Sequence, residues 1–132
     1  MSWKTARLDD IGTSQTTEFW QEWAREPDFG GGWHSIGDQL GVRGFGVNAS
    51  TADEGRELIV PHDEVDYGEQ EELYIVLEGR ARFLCDGAEV ELGEREILLC
   101  GPEVKREAVA LVTPTAVLCI GGTPDKPYQP DA

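Results

Sequence analysis

The sequence predicts an all-β domain with one short early helix, and three features predict it. Short apolar or alternating runs recur about every ten residues between Gly, Pro and Asp clusters, the punctuation of a sandwich or closed barrel. The stretch from Glu71 to Leu92 has strand composition throughout. Glu71-Glu72-Leu73-Tyr74-Ile75-Val76-Leu77-Glu78 stops at Gly79, Ala81, Phe83 and Cys85 alternate, Asp86-Gly87 supplies a tight turn, and Val90 and Leu92 resume the alternation. It reads as one β-hairpin. A helical pattern shows once, from about Thr17 to Arg25, where Phe19, Trp20, Trp23 and Ala24 share a face before Pro27.

With 132 residues the chain can bury a single core without staples. Its 26 acidic residues against 11 basic ones give a formal charge of −15, which repels phosphate backbones and anionic lipid and argues against nucleic acid or membrane as a partner. Cys85, Cys100 and Cys119 are odd in number and sit in apolar runs, as small buried residues of a reduced compartment do. No basic segment leads into an apolar core and no apolar run reaches membrane-spanning length, so the expected location is cytoplasmic.

Taken in order, residues 1–41 form an arm carrying the helix and the Gly30-Gly31-Gly32 linker, with Trp3 and Leu8 as anchors of its first part. His34 beside Trp33 reads as a surface or packing residue. Residues 42–122 form the barrel. Its first strand is expected over Val42 to Ala49, where Gly44 and Gly46 between Phe45 and Val47 imply a bulge or a close backbone approach. The next runs from Glu57 to Pro61, with Leu58 and Val60 on the face that His62 and Glu64 continue. The acidic stretch Asp63 to Gln70 reads as a loop across the mouth of the fold. Ile97 to Cys100, Val104 to Leu111 and Ala116 to Ile120 supply the last strands, and 123–132 is a proline-rich tail with Tyr128 as its anchor.

Two clues point to a site. Glu72 lies inside an apolar strand, where a carboxylate is rarely buried without a partner, and it shares a face with Tyr74 and Val76. His62 and Glu64 stand two residues apart at the end of another strand.

These residues resemble the cupin superfamily, small jelly-roll barrels with a ligand or metal site inside. Gly55, His62-Asp63-Glu64 and the run from Glu72 to Gly79 follow the family's first motif, and Gly101-Pro102-Glu103-Val104-Lys105-Arg106 follows the second in outline. The resemblance spans roughly Val42 to Gly122 and implies a single cupin-type jelly-roll barrel. It also implies that His62 and Glu72 hold two of the family's four metal-ligand positions, while Glu64 and Arg106 stand where two histidines would be. Two site readings follow. In one, His62, Glu64 and Glu72 form an oxygen-rich three-ligand site suited to manganese or iron, to which Gln70 could add an amide oxygen. In the other, Arg106 fills the ion's place and pairs with Glu72 or Glu64, leaving a pocket that requires no cofactor. The second is preferred, because inward carboxylates need a cation and the arginine supplies one.

The leading functional expectation is a cupin that binds a small anionic molecule in a pocket lined by His62, Glu64, Gln70, Glu72, Tyr74 and Arg106. Arg106 would grip the anion, and His62 or Glu72 would act as general base in isomerase or lyase chemistry. The alternatives are a metal-dependent, oxygenase-like cupin and a module that has lost its site and serves interaction alone. The resemblance further implies a homodimer formed through sheet faces.

Overall fold

The structure, a computed structural model, describes residues 3–11, 32–66 and 68–125. The helix expected over 17–25, Gly30-Gly31 and Tyr128 lie outside the described residues. In chain order the elements are β1 (Trp33–His34), α1 (Ile36–Leu40), β2 (Gly46–Ala52), β3 (Glu57–His62), β4 (Glu71–Glu78), β5 (Arg80–Cys85), β6 (Ala88–Gly93), β7 (Ile97–Cys100), β8 (Arg106–Ala110) and β9 (Thr115–Gly122). The strands form two sheets, ordered β1-β2-β9-β4-β7 and β3-β8-β5-β6, with antiparallel neighbours throughout. This is the all-β jelly roll that the sequence predicts.

The core lies between the sheets. Val76, Tyr74, Val117 and Cys119 face Leu58, Ala81, Phe83, Ala108 and Ala110 from the opposite sheet. The Tyr74 and Phe83 rings meet at a centroid distance of 5.2 Å and are tilted by 53°, a geometry that aromatic quadrupoles favour. The three cysteines are free, with Cys100 and Cys119 buried and Cys85 half-buried.

Several boundaries differ from the sequence expectation. The stretch from Glu71 to Leu92 is not one hairpin, because β4 pairs with β7 and β9 while β5 pairs with β6 and β8. The hairpin is β5–β6 alone, closed by Asp86 (φ 51°) and Gly87 (φ 85°). Gly79 carries the chain from one sheet to the other at φ 82°. A Cβ there would stand 2.5 Å from the Pro114 carbonyl and from Thr115 Oγ1, so the crossing admits only glycine.

The first barrel strand starts at Gly46 rather than Val42, since residues 36–41 form α1 and its left-handed Gly41 cap. Helix α1 lies on β2, where Gly37 lets it approach the Val47 backbone. The eighth strand is shorter than Val104 to Leu111. In the N-terminal segment the anchor is Ile11, buried beside a single 3-10 turn, whereas Trp3 is 72% exposed. His34 holds this segment down: its Nδ1 donates to the Ile11 carbonyl at 2.8 Å and its Nε2 meets Thr51 Oγ1 at 2.8 Å.

Two of the left-handed glycines, Gly79 and Gly87, should respond differently to alanine. Gly87→Ala, in open space, is expected to cost about 1 kcal/mol from backbone strain alone. Gly79→Ala adds a backbone clash and is expected to exceed about 3 kcal/mol in urea unfolding. Equal costs would contradict the sheet-crossing role of Gly79.

Candidate functional site

Strand alternation brings Glu72, Tyr74 and Val76 to the inner face of β4. In the register of the five-stranded sheet, Tyr74 is opposite Cys119 and Glu72 is opposite Gly121. The Glu72 carboxylate therefore has polar neighbours on both strands. Tyr74 donates its hydroxyl to Glu72 Oε1 at 2.8 Å, and the Cys119 thiol donates to Glu72 Oε2 at 3.2 Å.

From the other sheet, β3 ends at His62. Its Nδ1 donates to the Val60 carbonyl at 2.7 Å, which turns Nε2 toward the two carboxylates. Nε2 lies 3.4 Å from Glu72 Oε1 and 3.5 Å from Glu64 Oε1. One ligand-capable atom from each of His62, Glu64 and Glu72 falls within 4.8 Å of the others. Glu64 is positioned by the loop after β3, whose backbone N–H donates to the Pro102 carbonyl at 2.8 Å. His62 and Glu64 are each less than a tenth exposed.

Burial sets the electrostatics, and the contacts then split the three groups. Burial disfavours the charged form of His62, but Glu64, Glu72 and the Val60 carbonyl outweigh it and raise the imidazolium to about 9. Burial would likewise raise Glu72, yet His62, the Tyr74 hydroxyl and the Cys119 thiol hold it down to about 2. Glu64 is raised, by burial and by the Glu72 charge. Tyr74 and Cys119 are pushed well up, first by burial and then by neighbouring charge, so both stay protonated and serve as donors.

Arg106 lies opposite His62 on β8 and is the largest fully buried side chain. Its Nη2 donates to the Gly101 carbonyl at 2.8 Å and, at 3.3 Å, to that of Cys100. Nε and Nη1 are buried without a hydrogen-bond partner. Among the described residues it forms no ion pair with Glu64 or Glu72; His62 stands between those carboxylates instead, which corrects the expected pairing. The carbonyls at the end of β7 draw the guanidinium away.

Gln70 stands apart from the cluster. Its carboxamide lies over Gly121 and Gly46, where a Cβ on Gly121 would be 2.6 Å from Gln70 Oε1 and 3.5 Å from Glu72 Cγ. Gly68 (φ 92°) and Glu69 (φ 50°) turn the chain to put it there. Neither the bulge nor the close backbone approach expected at Gly44 and Gly46 is found: β2 pairs with β9 in unbroken register from Gly46, and a Cβ on Gly46 would lie 3.7 Å from Gln70 Oε1, an ordinary contact. Cys119 is the contact that sequence reasoning missed as a site residue. Only the cross-strand register reveals it, for its apolar surroundings suggest a plain core cysteine.

No protein-family model matches the chain, and neither does any curated protein. Solved structures do. A cupin protein from Bacteroides fragilis is 19% identical, with 98% of this chain and 92% of that one covered at a TM-score of 0.69. KdgF from a Halomonas species is 17% identical over 66% of this chain and 72% of its own, with a TM-score of 0.53. An RmlC-like cupin protein from Desulfovibrio desulfuricans is 24% identical over 60% of this chain and 72% of its own, also at 0.53. At these identities the likeness is one of fold. The chain has the cupin fold, and its inward-facing histidine and glutamates lie within that barrel.

The site's charges make stability depend on pH in the metal-free protein. His62 has a folded value of about 9 against an ordinary 6.5, so its contribution is complete below about 6.5 and is lost as pH rises through 9. Glu72, held at about 2, contributes above its ordinary value and loses that contribution as pH falls toward 2. In chelator-treated protein the melting temperature is expected to drop by roughly 5–10 °C between pH 7 and pH 10. Calorimetry on His62→Gln should give a shallower slope, and an unchanged slope would refute the assignment.

Proposed function

We propose that this cupin-fold protein holds a divalent metal ion on His62, Glu64 and Glu72 and acts on a small molecule there. The observation that carries the reading is the spacing of the three groups. A charge-assisted hydrogen bond between imidazolium and carboxylate closes to about 2.7–2.9 Å. Here the separations are 3.4 and 3.5 Å, long for such bonds. Together with the 4.8 Å limit on all three ligand-capable atoms, they leave the groups close enough to converge on one ion. The Nδ1–H bond to the Val60 carbonyl adds the outer partner that orients a metal-binding imidazole.

One nitrogen and two carboxylates suit manganese or iron better than soft metals. A bound ion would polarise a substrate oxygen or activate water. Around it, Tyr74 and Cys119 fix the Glu72 carboxylate, and the loop bond at Pro102 fixes Glu64. Arg106 adds a permanent positive charge behind the site. Arg106 Nη2 donates to the carbonyls of Cys100 and Gly101, and no hydrogen bond or ion pair joins it to Glu64 or Glu72 among the described residues.

A second reading rests on the unpartnered Nε and Nη1 of Arg106. Buried guanidinium donors without acceptors are costly, and a small carboxylate would satisfy them. In that reading the pocket works without a metal, with His62 or Glu72 as the proton-transfer group.

Metal analysis of untagged protein purified without chelator decides between them. About one equivalent of manganese or iron is expected, falling at least tenfold in Glu72→Gln, with chelation lowering the melting temperature by several degrees. Metal far below one equivalent, with acetate stabilising wild type but not Arg106→Lys, would replace the first reading with the second.

The proposed partner is a second copy of the chain. On the outer face of the five-stranded sheet, Leu73 is opposite both Leu99 and Ile120, and Ile75 is opposite both Ile97 and Leu118. Ile97 is 58% and Leu99 60% exposed. An exposed apolar patch on so acidic a chain suits self-association, with Glu71 at the end of the same β4 face as its nearest charge on that strand. Sedimentation velocity should give a dimer for wild type and a folded monomer for the Ile97→Asp, Leu99→Asp double variant. A monomer in both would refute this interface.

A further inference from the structure

At the open end of the barrel, next to the cluster but distinct from it, lies a cleft of about 890 Å³, within the range of small-molecule sites. Its walls include Arg43, Gly44, Phe45, Gln70, Glu71 and Gly122. Two of them are bare: a Cβ on Gly44 or Gly122 would meet nothing within 4 Å, so peptide planes face the open space. Phe45 is 51% exposed and offers a ring surface beside them. Gln70 lies between the cleft and the cluster, since its carboxamide occupies the position above Gly121 that also borders Glu72.

Charge identifies the occupant. With 26 acidic residues in the chain, a glutamate on a cleft wall carries little information. An arginine there carries more, because only 11 residues are basic and Arg43 forms no ion pair among the described residues. A planar guanidinium at the rim of an acidic protein is the group that selects a carboxylate, and Glu71 on the same wall disfavours a second one. Phe45 and the bare peptide planes suit a flat apolar body.

We propose that this cleft binds a small monocarboxylic acid with a flat apolar body, its carboxylate on Arg43 and its body against Phe45 and the glycine backbone. Bound in this way, the molecule reaches toward Glu72 past Gln70. The inference deepens the proposed function, and it rests on that reading only for the chemistry beyond Gln70.

The test uses the full chain and three probes, benzoate, benzamide and terephthalate, followed by amide chemical shifts in nuclear magnetic resonance. Benzoate is expected to move the Gly44, Gly46, Gly121 and Gly122 amides and the Gln70 side-chain amide. Benzamide and terephthalate should each bind about tenfold more weakly or worse, a charge-assisted bond being lost in one case and an anionic repulsion added in the other. Arg43→Gln should lose the preference for benzoate over benzamide. Gly122→Leu, which fills open space without backbone strain, should abolish the shifts while leaving the fold intact. Equal binding of benzoate and benzamide, shifts confined elsewhere, or no shifts would overturn the inference. Metal content separates the two proposals. Arg43→Gln and Gly122→Leu should keep whatever metal wild type holds, and titrations of chelated protein report on the cleft even if no metal is found.

Discussion

The constraint on which this structure turns is a carboxylate in an apolar strand. Glu72 sits between Leu73 and Glu71 on β4 and is directed inward by the same alternation that buries Tyr74 and Val76. An unpaired buried carboxylate costs several kcal/mol, so its surroundings have to supply donors. They come from its own strand through Tyr74, from β9 through Cys119 and from the facing sheet through His62. Satisfying one side chain thus links both sheets, and next to it the apolar core packs, with the Tyr74 ring against Phe83.

The two ends of the barrel are built from different residues for this reason. Toward the body, Leu58, Phe83, Val76 and Val117 fill the space between the sheets, which is the ordinary way a small jelly roll closes its interior. At the mouth the chain places Gly44, Gly46, Gly121 and Gly122, and side-chain volume disappears from one side. Gln70 enters part of that space and the cleft takes the rest. The packed body buries the cluster, and the glycine-lined rim leaves room beside Gln70 for the cleft.

How much of this was legible depends on whether the information was local. Glu72 announced itself by being an acid in a run of Leu, Tyr, Ile and Val, and His62 by continuing the face of Leu58 and Val60. The Asp86-Gly87 turn needed only two residues to recognise. What failed was information held in pairing. Nothing between Glu78 and Arg80 says that β4 leaves for one sheet and β5 for the other; the clash of a Gly79 side chain with Pro114 and Thr115, more than thirty positions away, says it. Cys119 as a donor to Glu72 depends on a register across 47 residues. Arg106 was correctly marked as a buried cation but given the wrong acceptors, because carbonyl groups at Cys100 and Gly101 have no sequence signature. The helix α1, Ile36–Leu40, lies where no element was expected, between the Gly30-Gly31-Gly32 linker and the first barrel strand.

Arg106 and His62 carry the same charge in the metal-free protein, but they differ in kind. The guanidinium does not give up its proton under any condition the fold survives, so its charge is a fixed part of the site. The imidazolium is exchangeable, being held only by Glu64, Glu72 and the Val60 carbonyl. With both cations present and both glutamates ionised, two positive charges face two negative ones and the cluster is neutral. A divalent ion that displaces the His62 proton leaves a net charge of plus one, because Arg106 stays. That excess attracts an anion to a site whose surroundings, on a chain of −15, would otherwise repel it. The arginine at the position of a missing ligand is then no obstacle to the ion. In the proposed metal-bound state it would favour negatively charged small molecules.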